Sequence, residues 1–201
     1  VAVPFAASVG LIPGYNSAAY LGTSYNPFQT GGDPNALNFS VRNLTLPGGM
    51  TVAQLEDRKQ LLTSFDTLRR DIDRSGTLDS LDRFQREAYE MISGPAARQA
   101  FDVNREDPRL RDRYGRHNWG QSTLLARRLV EAGTTWVTVH MGGWDHHWDL
   151  KAGMERYLPQ IDMLTSSLFS DLHERGLAEK VLAILCGEFD RRPQMQNRGK
   201  G

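Results

Sequence analysis

Two apolar stretches and the spacer between them constrain this chain most. Thr134 to His140 is β-branched and apolar, and Lys180-Val181-Leu182-Ala183-Ile184-Leu185-Cys186 is a continuous apolar run, the form of a strand covered on both faces. Between them Met154, Tyr157, Leu158, Ile161, Leu164, Leu168 and Leu172 recur every three or four residues and stop at Arg175-Gly176. That is a helical stripe with a C-terminal glycine. Strand, long helix, strand is a parallel crossover unit, expected to be right-handed. The predicted fold class is α/β, with both runs as interior parallel strands.

In open sheets of this kind, ligands bind beyond the carboxyl ends of the strands. The first run empties into Gly142-Gly143-Trp144-Asp145-His146-His147-Trp148-Asp149, where imidazoles and carboxylates crowd together as the donor set for a divalent metal such as zinc or manganese. Asp145 and His147 are two residues apart, so in an extended loop they share a side while His146 points away. The second run ends in Cys186-Gly187-Glu188-Phe189, and parallel strands finish at one edge. Asp145, His147 and Glu188 are therefore the predicted metal ligands, with His146 and Asp149 behind them. The competing reading is a hydrogen-bonded loop in which Trp144 and Trp148 pack and the histidines cap backbone, with Glu188 paired to Arg191 or Arg192.

Ahead of this α/β portion, taken as residues 107–201, two further stretches differ in character. Residues 1–50 are broken by Pro4, Pro13-Gly14, Pro27, Gly31-Gly32, Pro34 and Pro47-Gly48-Gly49. They read as an irregular coat, pinned to the body by Phe5, Tyr15, Tyr20, Tyr25, Phe28 and Phe39. Residues 51–106 read as a helical insertion. Thr51-Val52-Ala53-Gln54 has capping-box spacing ahead of a helix to about Arg70, and a second helix carries Leu81, Phe84 and Ala88. Gly94-Pro95 stops it, with a short turn over Ala96 to Phe101. Between the two helices, Asp71, Asp73, Ser75, Asp79 and Asp82 occupy positions 1, 3, 5, 9 and 12 of a calcium-type loop with Gly76 at position 6. Position 12 is Asp rather than Glu, so a polar turn with Asp79 capping the next helix competes with calcium binding.

From Asp107 to His117 bases and acids alternate, so a self-paired solvated surface competes with an anion-binding patch. Trp119 to Ala132 then reads as a helix closed by Gly133, with His117 near its start rather than serving as a ligand. Lys plus Arg equal Asp plus Glu at 24 each, so no net field recruits nucleic acid or an anionic membrane. No apolar run reaches the roughly 20 residues that span a bilayer. Cys186 is the only cysteine, which excludes an internal disulfide. The start at Val1 and the stop at Gly201 lead to the expectation of a piece of a longer chain.

The order Tyr114-Gly115, Gly120-Gln121-Ser122, Leu125-Ala126-Arg127-Arg128-Leu129-Val130-Glu131-Ala132-Gly133, Gly143-Trp144-Asp145-His146-His147 and Gly187-Glu188-Phe189-Asp190-Arg191-Arg192-Pro193 resembles the bacterial family called domain of unknown function 1501. The likeness spans essentially the whole chain. Asp190 and Arg192 depart from it, standing where the family has a small residue and Thr. The family in turn resembles the alkaline phosphatase and sulfatase superfamily. That implies a three-layer fold and metal-dependent hydrolysis of small-molecule or polysaccharide phosphate or sulfate esters, in an exported or periplasmic protein. It further implies that Asp145, His147 and Glu188 hold the metal, that Arg191 steadies the anion, and that the nucleophile lies outside these residues. A non-catalytic exported binding or scaffold protein on the same fold, and a calcium module at 71–82, stand as alternatives.

Overall fold

The computed structural model describes residues 1–5, 18–21, 25–41, 44, 51, 53–54, 57–58, 60–61, 95–144, 146 and 149–187. Asp145, His147, Trp148, Glu188, Arg191, the second insertion helix and the calcium-type loop with Asp71, Asp73, Ser75, Asp79 and Asp82 lie outside them.

Strands β1 (Ala2–Val3) and β2 (Thr138–Val139) pair in parallel, Ala2 opposite Thr138 and Val3 opposite Val139. The Thr138 and His140 amides donate to the Val1 and Val3 carbonyls at 2.8 and 2.9 Å. On its other side β1 meets Gln29 through a parallel bridge, with the Ala2 amide donating to Phe28 O and the Thr30 amide to Ala2 O. The Pro- and Gly-rich start of the chain therefore supplies the innermost strand, with Ala2 and Val3 buried. Within the stretch expected as an irregular coat, Ala2 and Val3 thus form a strand; Phe28 packs on Phe101 and Phe39 on the core around Val3, whereas Phe5, Tyr20 and Tyr25 are exposed and Tyr15 lies outside the described residues.

The two expected interior strands are also revised. Among the described residues β2 has a strand neighbour on one side only, with Thr138 exposed and Val139 half-buried. Residues 181–187 take no place in a sheet, and Leu182, Ile184 and Leu185 are exposed. Apolar composition favours burial without naming a partner, and among the described residues β2 pairs with β1 alone. What holds is mixed helix and strand about a small parallel sheet, as an α/β chain requires.

Among the described residues, four α-helices run from Pro95 onward. Pro95–Phe101 (α1) is a helix where only a turn was expected, and it is followed by Pro108–Tyr114 (α2), Asn118–Glu131 (α3) and Leu150–Glu174 (α4). The bounds of α3 and α4 follow the periodicity closely because each ends in a Schellman motif. Gly133 (φ 101°) and Gly176 (φ 67°) adopt the left-handed conformation. The Thr134 amide donates to Leu129 O and the Leu177 amide to Leu172 O, satisfying carbonyls the helices leave open. The capping box also forms, with Thr51 N donating to Gln54 Oε1 at 2.9 Å and Gln54 N to Thr51 Oγ1 at 3.2 Å.

Helix α3 is central. One face packs Leu125 and Leu129 against Val3, Ala100 and Val103. Its other side meets α2 and α4, where Tyr114, Leu124, Leu164 and Leu172 are buried. Arg127 of α3 is only 1% exposed, which is tolerable because acids surround it. Nη1 bonds Glu131 at 2.6 Å, while Nε lies 2.8 Å from Asp171 and Nη2 3.0 Å from Glu106, charge contacts rather than aligned hydrogen bonds. Arg175 closes the cluster on Asp171 at 2.7 Å and Glu131 at 2.9 Å. Burial pushes the Glu131 carboxyl up, but hydrogen bonds from Arg127 and Arg175 outweigh it and hold it below the usual range.

Candidate functional site

Three elements meet beyond the carboxyl end of β2. Helix α3 leads through Gly133 into β2, so its N-terminus lies toward the end where β2 finishes. The 140–149 loop leaves that end and enters α4, so the α4 N-terminus begins there too. Ring contacts tie the three together: Trp119 of α3 stacks on Trp144 of the loop at 5.6 Å and 14°, and Tyr157 of α4 lies 4.8 Å from Trp119 and 5.4 Å from Trp144. All three rings are half-buried. Two helix N-termini thus border one loop, and the positive end of a helix dipole favours anions.

Each N-terminus is capped by a residue the sequence had marked. His117 caps α3 at the helix start, its Nδ1 accepting from the Gly120 amide at 3.2 Å. Burial pushes this imidazole below its ordinary pKa, against a weaker upward pull from Asp33. Asp149 caps α4, its Oδ1 accepting from the Ala152 amide at 3.0 Å. The Asp149 carboxylate is thus engaged on backbone, where the sequence had ranked it among reserve metal donors.

His146, also a reserve candidate, is half-buried beside α4. Its ring lies 5.4 Å from Tyr157, and its Nε2 is buried without a hydrogen-bond partner. The His146 amide donates to Trp144 O at 3.0 Å. Gly143 (φ 92°) brings loop backbone close to α4: a Cβ there would meet the Tyr157 hydroxyl at 3.2 Å. The packing of Trp144 is the feature the bland reading of this loop had named. Among the described residues no three His, Cys, Asp or Glu side chains gather as a metal would need, and Asp145, His147 and Glu188 are not among them.

The segment running into α3 is held from within. Gly115 (φ 94°) ends α2, and a Cβ at Gly120 would lie 2.1 Å from Tyr114 O, so only glycine lets α3 start so near the end of α2. The buried Gln121 amide donates to Arg111 O and Gly115 O, both at 2.9 Å, and its Oε1 accepts from Arg111 Nε at 2.7 Å. Alternating charges over 107–117 had read as surface, yet Arg111 is buried; Arg113 pairs with Glu174 and Arg116 with Asp112. Sequence reading missed Gln121 and Gly120 as structural centres, although their short spacing from Gly115 was a signal of close approach.

A cleft of about 350 Å³ lies elsewhere, between α2 and the C-terminal turns of α4, lined by Asp107, Arg109, Arg113, Asp171, Glu174 and Arg175 among others. Tyr157 and Asp171 are separated by roughly 21 Å of helix at 1.5 Å per residue, so this cleft is far from the loop. Its charges are largely spent on one another.

A protein-family model described as "Protein of unknown function (DUF1501)" matches residues 4–201. The chain belongs to that family. No curated protein and no solved structure matches it. The segments that suggested the family have these places in the fold: Tyr114-Gly115 and Gly120-Gln121 join α2 to α3, Arg127 and Glu131 belong to one charge cluster, and Gly143-Trp144 begins the loop against α4. Among the described residues no helix is long and apolar enough to cross a membrane.

Proposed function

We propose that this DUF1501 chain carries part of a metal-dependent hydrolase of phosphate or sulfate esters, built on an alkaline-phosphatase-like three-layer fold. The observation that carries the reading is the meeting of the 140–149 loop with the N-termini of α3 and α4 beyond a parallel strand, the place where α/β sheets bind ligands and where helix amides favour an anionic ester. The donor chemistry fits zinc or manganese, since Asp145, His147 and Glu188 offer two carboxylates and an imidazole. Glu188 enters by the family resemblance alone, because among the described residues the run before it has no strand partner.

In this proposal Asp145, His147 and Glu188 hold the ion, and Arg191 binds the non-bridging ester oxygens through its planar fork. When bound, the metal would polarise the ester oxygen and lower the pKa of an attacking hydroxyl or water. Around it the chain's own residues hold the loop: Trp119 and Tyr157 back Trp144 and limit water on that side, and Asp149 fixes where the loop ends. Small-molecule or polysaccharide esters are the proposed substrates, and export to the periplasm is carried by the resemblance.

Elemental analysis of the purified full-length protein, beside its Asp145→Ala and Asp71→Ala variants and a panel of phosphate and sulfate esters, tests this. Stoichiometric zinc or manganese lost in Asp145→Ala, with ester turnover lost alongside, is expected. Metal without turnover would favour a binding or scaffold role. Calcium lost only in Asp71→Ala would favour a calcium module.

A further inference from the structure

We infer that Gly153 of α4 is a seat for the imidazole of His146, making His146 a positioning residue for the loop that bears Asp145 and His147. A Cβ built on Gly153 would stand 2.6 Å from both Cε1 and Nδ1 of His146 and 2.7 Å from its Cγ. A real Cβ essentially never makes contacts that short, so alanine at 153 would force the imidazole to another rotamer or the loop to shift. Gly153 is itself buried, in the first turns of a helix where Ala would be the better former by about 1 kcal/mol. The glycine costs the helix stability, and what it makes room for is the ring.

The same ring rests against Tyr157, one helical turn further along α4, at 5.4 Å. His146 therefore meets one face of α4 at two points, while its amide bonds Trp144 O and Trp144 stacks on Trp119. The Nε2 of the same ring is buried without a hydrogen-bond partner. Asp145 and His147 are its immediate neighbours in the sequence. The purpose of the seat rests on the metal-hydrolase reading; the seat itself does not.

Hydrogen exchange read peptide by peptide, with zinc or manganese affinity measured by chelator competition, separates the two. In Gly153→Ala and in His146→Ala of the full-length protein, exchange over 141–149 should speed by at least about tenfold while α4 beyond Pro159 keeps its protection. Metal affinity should fall by about 10- to 100-fold, the range for residues that orient ligands. His146→Ala adds no bulk, so it serves if Gly153→Ala fails to fold. Unchanged loop exchange in His146→Ala, or loss of protection along all of α4 in both variants, would overturn the seat. A wild type that binds no metal, with faster loop exchange in both variants, would sink the hydrolase reading and leave the seat standing.

Discussion

Arg127 Nε lies 2.8 Å from Asp171 Oδ2, and both side chains are cut off from solvent. The pair ties α3 to α4, and Tyr114 of α2 adds its hydroxyl to Asp171 Oδ2 at 2.9 Å. Burial and the Asp171 charge drive the Tyr114 pKa upward, so the phenol stays a donor throughout the physiological range. Removing one member of a buried pair strands the other's charge. Arg127→Ala is expected to destabilise the protein by about 3–5 kcal/mol, read from the shift of a urea unfolding midpoint at constant slope. A cost under about 1 kcal/mol would mean that water reaches the cluster.

Gly120 offers a reversal of sign. Replacing a helical glycine by alanine ordinarily stabilises by up to about 1 kcal/mol. Here the new methyl would press on the backbone carbonyls of Tyr114 and Gly115, which have no rotamer to change. Gly120→Ala should therefore destabilise, by about 1–3 kcal/mol as for an overpacked core, and thermal melting checks it. A raised melting temperature would show that α2 and α3 can part.

Protonation of His117 should weaken the fold. Its folded pKa is lowered by burial, so below the ordinary histidine value of about 6.5 the unfolded chain binds more protons than the native one. The contribution is complete above that value, declines as pH falls toward the folded pKa, and is gone below it. Nδ1 is the acceptor for the Gly120 amide, so a proton there also removes the cap. His117→Asn keeps a cap that does not titrate. Denaturant midpoints from pH 8 to pH 5 should fall more steeply in the wild type than in that variant.

Asp149 separates capping from ligation. Asp149→Asn retains an oxygen for the Ala152 amide, whereas Asp149→Ala does not. Stability should fall by about 1 kcal/mol in the alanine variant and much less in the asparagine variant, with metal content unchanged in both. Loss of metal in Asp149→Asn would return Asp149 to the ligand set.

Legible in the sequence were the features that depend on neighbours along the chain. The stripes and terminal glycines of α3 and α4, the Thr51 to Gln54 box, and the loop following Val139 all follow from local periodicity and capping, which act within a few residues. Membership of the family was legible for the same reason, because the segments that suggested it are contiguous in sequence.

Tertiary structure alone decided who pairs with whom. Ala2 and Val3 sit in a stretch with no strand period, and they became the central strand because β2 and Gln29 flank them across 136 and 27 residues of sequence. Leu182, Ile184 and Leu185 look like core, yet they stay exposed, since apolar character creates a demand for burial but cannot supply the partner. Arg127 and Arg111 look like surface, and only the convergence of distant acids and carbonyls made their burial affordable. Asp149 shows both levels at once: its chemistry was plain from its letter, and its engagement on the Ala152 amide depended on where α4 began.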